Sequence, residues 1–272
     1  MSAPRYETVS FLSDYGHADE FVGVVHSVIR SIAPHVTVID LVHDLAPFDV
    51  RGASLALSRT VQYVAPGIVL AVVDPGVGTS RRAIAAEVGD GGEGVLIGPD
   101  NGLLGPAALM CGGVTRAVEL TNPAYQLVPP GPTFAGRDVF APAAAHLARG
   151  VAITELGPEI DTHTLVPSLI PLTRAEGDAL VGEVLWVDRY GNCQLNVDPG
   201  EAAPLGDVVG VRIGDEPRRS ARRVHTFGEL RTGQVGLLVD SYGLLAVVMP
   251  QASAAEALGL EPGTTVRLEP LG

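Results

Sequence analysis

Between Val72 and Arg82 an apolar run ends in a carboxylate, Asp74, turns through Pro75, Gly76 and Gly78, and meets two guanidinium groups, Arg81 and Arg82. A carboxylate at such a turn can take a proton, hold hydroxyls or face a cation, and a neighbouring arginine can fix its direction. Alone, Asp-Pro-Gly is an ordinary strand exit. It is accompanied by other polar side chains at turns: Asp14, Asp19, Asp100, Asn101, Thr133 and Arg137, then Asp188, Asn192 and Ser241. An acidic residue at a strand end can accept both hydroxyls of a ribose, as in dinucleotide sites. Asn192 offers an amide donor and acceptor suited to an adenine edge, and Tyr190 a ring to stack on the base. Taken singly each is a turn residue; together they point to a nucleoside-like ligand.

The elements that must position these residues follow from the apolar pattern. Gly67–Val73 is continuously apolar and β-branched, as expected of a strand covered on both faces. Before it, Thr8–Leu12 and Val36–Leu41 read as strands, with helices from about Asp19 to Pro34 and from about Arg51 to Tyr63. This β-α-β-α-β alternation predicts an α/β domain with a mostly parallel sheet. Parallel strands would put Asp14 and Asp74 on the same carboxyl edge, where such sheets bind ligands. Gly89–Gly94 reads as a hairpin loop, Val95–Gly98 as a short strand, and Pro129–Asp138 as a stiff loop before an alanine-rich helix from about Val139 to Arg149. After Pro158–Gly177 short β-branched runs such as Val181–Val187 and Val235–Val239 predict a smaller all-β barrel or sandwich. The expected domains are 1–170, α/β and catalytic, and 177–272, β-rich.

Composition sets limits on function. The 272 residues are 46% hydrophobic and 18% charged, and 18 basic against 31 acidic side chains give a formal charge of −13, which argues against nucleic acid or an acidic membrane as partner. Every basic residue is arginine, so no lysine can form a Schiff base or anchor a phosphate. The seven histidines and two cysteines lack metal-ligand spacing, so no metal is expected, and there is no P-loop, no Gly-x-Gly-x-x-Gly after the first strand, and no Gly-x-Ser-x-Gly or His-Glu-x-x-His motif. Met1–Arg5 has no secretory pattern and no apolar run reaches membrane-spanning length, so a cytoplasmic location is expected.

Five motifs, in order, carry a resemblance: Phe11-Leu12-Ser13-Asp14-Tyr15-Gly16, Val73-Asp74-Pro75-Gly76-Val77-Gly78-Thr79-Ser80-Arg81, Gly98-Pro99-Asp100-Asn101-Gly102-Leu103-Leu104, Thr133-Phe134-Ala135-Gly136-Arg137-Asp138 and Asp188-Arg189-Tyr190-Gly191-Asn192. Over nearly its whole length the chain resembles the S-adenosyl-L-methionine (SAM) hydroxide adenosyltransferase family, relatives of the SAM-dependent fluorinase and chlorinase. The resemblance implies a homotrimer with SAM bound between neighbouring subunits and no cofactor, SAM being the substrate. It also implies SN2 attack by water or hydroxide at the ribose C5′, releasing adenosine and L-methionine. By motif match Asp14 would hold the ribose hydroxyls, Asp19 and Asp188 the methionine ammonium, and Ser241 its carboxylate. Phe48, Tyr190 and Phe227 would wall the adenosyl group, Asn192 would read adenine, and Thr133 and Phe134 would join the substrate-binding set.

In the halogenases a tyrosine occupies the position of Asp74, so a carboxylate there implies water rather than halide as nucleophile. The hydrolytic family resembles an Asp-Arg-His triad; Asp74 and Arg81 match it, but Ala135 stands where the histidine would be. An Asp beside a guanidinium is expected to have a lowered pKa and to be a poor base alone. Two other readings therefore stand beside hydrolysis: SAM-dependent halide transfer, and SAM or adenosine binding without useful turnover. No histidine elsewhere is expected to substitute, although His17 sits near enough to the first-strand edge to be considered.

Overall fold

The structure, a computed structural model, describes residues 5–89, 94–168 and 170–271, in two compact units that meet at 169/170. The first unit runs β1 (Thr8–Ser13), α1 (Phe21–Ile32), β2 (Thr37–Val42), α2 (Val50–Val61), β3 (Ile68–Val72), β4 (Ala83–Val88), β5 (Gly94–Pro99), α3 (Gly105–Met110), β6 (Val114–Glu119), α4 (Ala141–Ala148) and β7 (Glu159–Ile160). Its sheet has the order β2-β1-β3-β5-β4-β6-β7 and is mixed: the first four strands are parallel, and β4, β6 and β7 join by antiparallel pairings. β4 and β5 pair as a hairpin, but residues 90–93 of the expected loop lie outside the described residues.

The buried run of β3 explains the layering. Ile68, Leu70 and Val72 pack in the same cluster as Val25 and Ile29 of α1 and Ala144 of α4. The alternate residues Val69, Ala71 and Val73 pack with Ala53 and Leu57 of α2 and Ala107 of α3. Helices therefore cover both faces, which is why this strand is apolar without alternation. The chain leaves β1 toward β2 on one side and leaves β3 toward β5 on the other, with Ser13 level with Val72. A switch of this kind opens a crevice at the strand ends, and Asp14 directly follows β1 while Asp74 lies two residues past the end of β3. The segment expected as loop up to Asp138 is already helical from Gly136: a π-turn, Gly136–Phe140, leads directly into α4.

The second unit contains β8 (Arg174–Glu176), β9 (Ala179–Val187), β10 (Cys193–Leu195), β11 (Val208–Ile213), β12 (Arg219–Arg223), β13 (Val235–Val239), β14 (Leu245–Val248), α5 (Ala254–Leu258) and β15 (Thr265–Pro270). Strands β10-β14-β13-β12-β11-β15-β9 close on themselves through the β9–β10 pair, with β8 added outside β9. The expected β-rich domain is thus a barrel, antiparallel except for β12–β13. Its interior is filled by Val184, Leu195, Val211, Leu237, Val247 and Val266, among others. Among the described residues no helix is long and apolar enough to cross a membrane.

Candidate functional site

In the first unit the ends of β1, β2 and β3 open onto a cavity of about 390 Å³. Asp14, Asp19, Phe48, Asp74, Thr133 and Ala135, all picked out in the sequence, line it. Arg81 and Phe134 do not. Arg81 grips Asp74 from behind, its Nε donating to Oδ1 at 3.0 Å and its Nη2 to Oδ2, while its guanidinium lies 5.5 Å from the Phe140 ring centre. Phe134 sits in an aromatic cluster beneath the cavity, 5.6 Å from Tyr15 and 4.9 Å from Phe21.

The turn between Asp74 and Arg81 is braced internally and externally. Val77 N–H donates to Asp74 O at 3.2 Å, and the Thr79 hydroxyl to Gly76 O at 2.7 Å. Asn101 Nδ2 donates to Val73 O at 2.9 Å, immediately before the carboxylate. At the far end Arg82 Nε donates to Asp100 Oδ2 at 2.9 Å, and Asp100 Oδ1 accepts Val166 N–H at 2.8 Å. Asp100 and Asn101, candidates for ligand contact on sequence alone, are thus spent on holding the turn.

Burial raises the Asp74 carboxyl, and the charge and hydrogen bonds of Arg81 lower it; burial outweighs them and its pKa lies above the ordinary carboxylate value. The lowered pKa expected from the neighbouring arginine is therefore corrected: withdrawal of the carboxylate from water penalises the charged form by more than the ion pair recovers. Asp14 directs Oδ2 to the backbone N–H of Phe48 at 2.9 Å. Phe48 has φ +68° and is 72% exposed, a strained conformation that projects its ring outward.

Tyr15, missed in the sequence, lines the same cavity. Burial, then the charges of Asp14 and Asp74, push its phenol far above the ordinary range, so it is a permanent donor and no base. A Cβ built on Gly136 would lie 2.2 Å from the Tyr15 hydroxyl, so only glycine fits there. Gly136→Ala is expected to destabilise the fold by about 1–3 kcal/mol through displacement of the Tyr15 ring, measurable as a lowered Tm. His17 is turned outward, 3.9 Å from Asp44, and supplies no side chain to the cavity lining.

In the second unit a cavity of about 1030 Å³ is lined by all five residues expected there: Asp188, Tyr190, Asn192, Phe227 and Ser241. Its walls are two copies of one turn, Asp188-Arg189-Tyr190-Gly191 after β9 and Asp240-Ser241-Tyr242-Gly243 after β13. In each, Asp Oδ1 accepts the N–H two residues on, at 2.8 Å from Tyr190 and 2.9 Å from Tyr242. Each closes on a glycine with positive φ, 81° and 86°. The repeated Asp-x-Tyr-Gly was the sequence signal for Tyr242, which contacts Trp186 edge-on at 6.2 Å across the cavity.

Asp188 Oδ1 also accepts Asn192 N–H at 2.9 Å, and Oδ2 the Asn192 amide at 2.7 Å; Gln194 donates to Asp240 Oδ2 at 2.5 Å. Both carboxylates therefore shape their turns, each retaining lone pairs for a cationic ligand. The Asn192 carbonyl and second amide proton remain for a base edge. Among the described residues no cluster of His, Cys, Asp or Glu is arranged to hold a metal.

Sequence profiles of the SAM hydroxide adenosyltransferase N-terminal and C-terminal domains match residues 9–157 and 182–267. The chain is 45% identical over 260 residues to an (R)-S-adenosyl-L-methionine hydrolase of Salinispora tropica, covering 96% of this chain and 97% of that one. A fluorinase of an Actinoplanes species is 27% identical over 301 residues, covering 98% of both chains. Among solved structures, an uncharacterized conserved protein from Thermotoga maritima superposes with a TM-score of 0.88 at 32% identity, covering 96% of this chain and 99% of that one.

Proposed function

The chain belongs to the SAM hydroxide adenosyltransferase family, and from that premise we propose that it is a SAM hydrolase, converting SAM and water to adenosine and L-methionine. The observation that carries this reading is Asp74: a buried carboxylate, aimed by Arg81 into a cavity that also holds Asp14. A water placed against it attacks the ribose C5′ in line with the sulfonium. The C5′–O bond forms as C5′–S breaks, the sulfur keeps the electron pair as neutral methionine thioether, and the water proton passes to Asp74. A neutral leaving group needs neither a general acid nor a cofactor.

A raised pKa makes Asp74 a stronger base than an exposed aspartate, provided the pH is high enough to ionise it. kcat/KM should therefore rise with pH along an acid limb above the ordinary carboxylate value. Arg81→Met removes the contribution that lowers the Asp74 pKa while burial persists, so a pH–rate profile should show that limb moved to higher pH.

In this reading Asp14 holds the ribose hydroxyls with its free oxygen and Asp19 faces the ammonium. Asp188, Ser241, Tyr190, Phe227 and Asn192 bind the methionine and adenine ends. A homotrimer with SAM bound between neighbouring subunits, implied by the family resemblance, is part of this reading; light scattering should give three copies. The free thiols Cys111 and Cys193 fit a reducing cytoplasmic location.

Halide transfer is the weaker reading, because a carboxylate at Asp74 repels an anion and the fluorinase relative is the more distant. The deciding experiment incubates the protein with SAM and chloride in H₂¹⁸O. Adenosine labelled at the 5′-oxygen together with methionine is the expected result; 5′-chloro-5′-deoxyadenosine without adenosine would overturn it.

A further inference from the structure

Ser13, His43 and Asp40 form a hydrogen-bonded chain beneath the β1 exit. His43 Nε2 lies 2.9 Å from Asp40 Oδ1, and His43 Nδ1 lies 2.7 Å from Ser13 Oγ. Burial pushes the Asp40 carboxyl up, but hydrogen bonds from His43 and His26 outweigh it and keep it below the ordinary range. An ionised Asp40 only accepts, so Nε2 carries the His43 proton and Nδ1 accepts from the Ser13 hydroxyl. Ser13 Oγ in turn accepts the Tyr15 N–H at 3.3 Å, and His43 O accepts the Gly16 N–H at 2.8 Å. Donors and acceptors match throughout in this tautomer.

The arrangement has the connectivity of a nucleophilic triad. It cannot act as one: the side chain of Ser13 is fully buried and that of His43 is 0% exposed, so no substrate reaches the hydroxyl. What the chain does touch is the turn 13–16, from which Asp14 and Tyr15 enter the cavity. The Phe11 ring lies tilted against the imidazole at 4.5 Å and His17 edge-on to it at 5.4 Å, while His26 shares Asp40 at 2.7 Å.

We propose that His43 is a positioning residue for substrate binding: through Ser13 and its own carbonyl it fixes the turn that presents Asp14 to the ribose hydroxyls. This rests on the SAM reading given above. Because Asp14 would contact the ribose equally in the ground and transition states, the relay acts on binding rather than on the chemical step.

The test compares Ser13→Ala, His43→Leu and His43→Asn with the wild type, using KM and kcat for SAM hydrolysis and calorimetric Kd for adenosine. Ser13→Ala and His43→Leu should raise KM and Kd about tenfold, with kcat reduced less than about threefold. In His43→Asn the amide oxygen can replace Nδ1 as acceptor for Ser13, and it should recover most of the lost affinity. Wild-type Kd in Ser13→Ala, a loss confined to kcat, or no recovery in His43→Asn over His43→Leu would overturn the relay. A wild-type protein that neither cleaves SAM nor binds adenosine would overturn the function itself, and with it the relay, before any substitution is compared.

Discussion

Asp74→Asn should lower kcat for SAM hydrolysis by about 10²–10⁴-fold, the usual worth of a positioned general base, while SAM binding changes little. Asparagine keeps the size and one acceptor for Arg81 but cannot take the water proton at neutral pH. The side chains of Asp74 and Arg81 are 6% and 12% exposed, so removing the negative charge also leaves a buried guanidinium poorly compensated. Breaking a buried pair costs about 3–5 kcal/mol, so a lower Tm should accompany the loss of rate. Calorimetric SAM affinity separates the two effects: intact binding with lost turnover assigns Asp74 to the chemistry, whereas near-wild-type turnover would remove it.

Ala135→His should act in the opposite direction, raising kcat by about 10²-fold by adding a second group that can take the water proton. Ala135 lines the same cavity as Asp74, with helical φ −60° and ψ −26°, which a histidine adopts without strain. Nothing described in that lining already does its work. Tyr15 is held neutral by burial and by the nearby carboxylates, and Asp14 commits one oxygen to the Phe48 amide. Stopped assays of methionine release measure the effect. Unchanged hydrolysis in a variant that still binds SAM would mean that Asp74 and Arg81 suffice, and that the alanine is no deficit.

Much of the site was legible because its residues lie at strand ends. The apolar run of β3 announced Asp74, and the β-α-β-α-β alternation placed Asp14 beside it; Ser13 and Val72 are register partners. Less visible were residues whose part depends on what lies behind them. Asp100 and Asn101 stood among the polar turn residues that pointed to a ligand but brace the turn, and Phe134 stood in the substrate-binding set but packs against Tyr15 and Phe21. His43 was one of seven histidines without metal-ligand spacing; its partners lie 30 residues before it and three residues before it, and only the fold brings both to one ring. The repeated Asp-x-Tyr-Gly turn could have been found from sequence and would have added Tyr242 to the second cavity.

The sequence by itself determined the order of strands and helices from β1 to β3 and the residue types at their ends, while α3, β6 and β7 were not read from it. Apolar periodicity and turn chemistry are local properties, carried by residues a few positions apart. The tertiary structure alone decided the state of those residues. Arg81 beside Asp74 argued for a lowered carboxylate pKa, yet packing raised it. Desolvation sums over every group that displaces water from the carboxylate, and those groups come from distant parts of the chain.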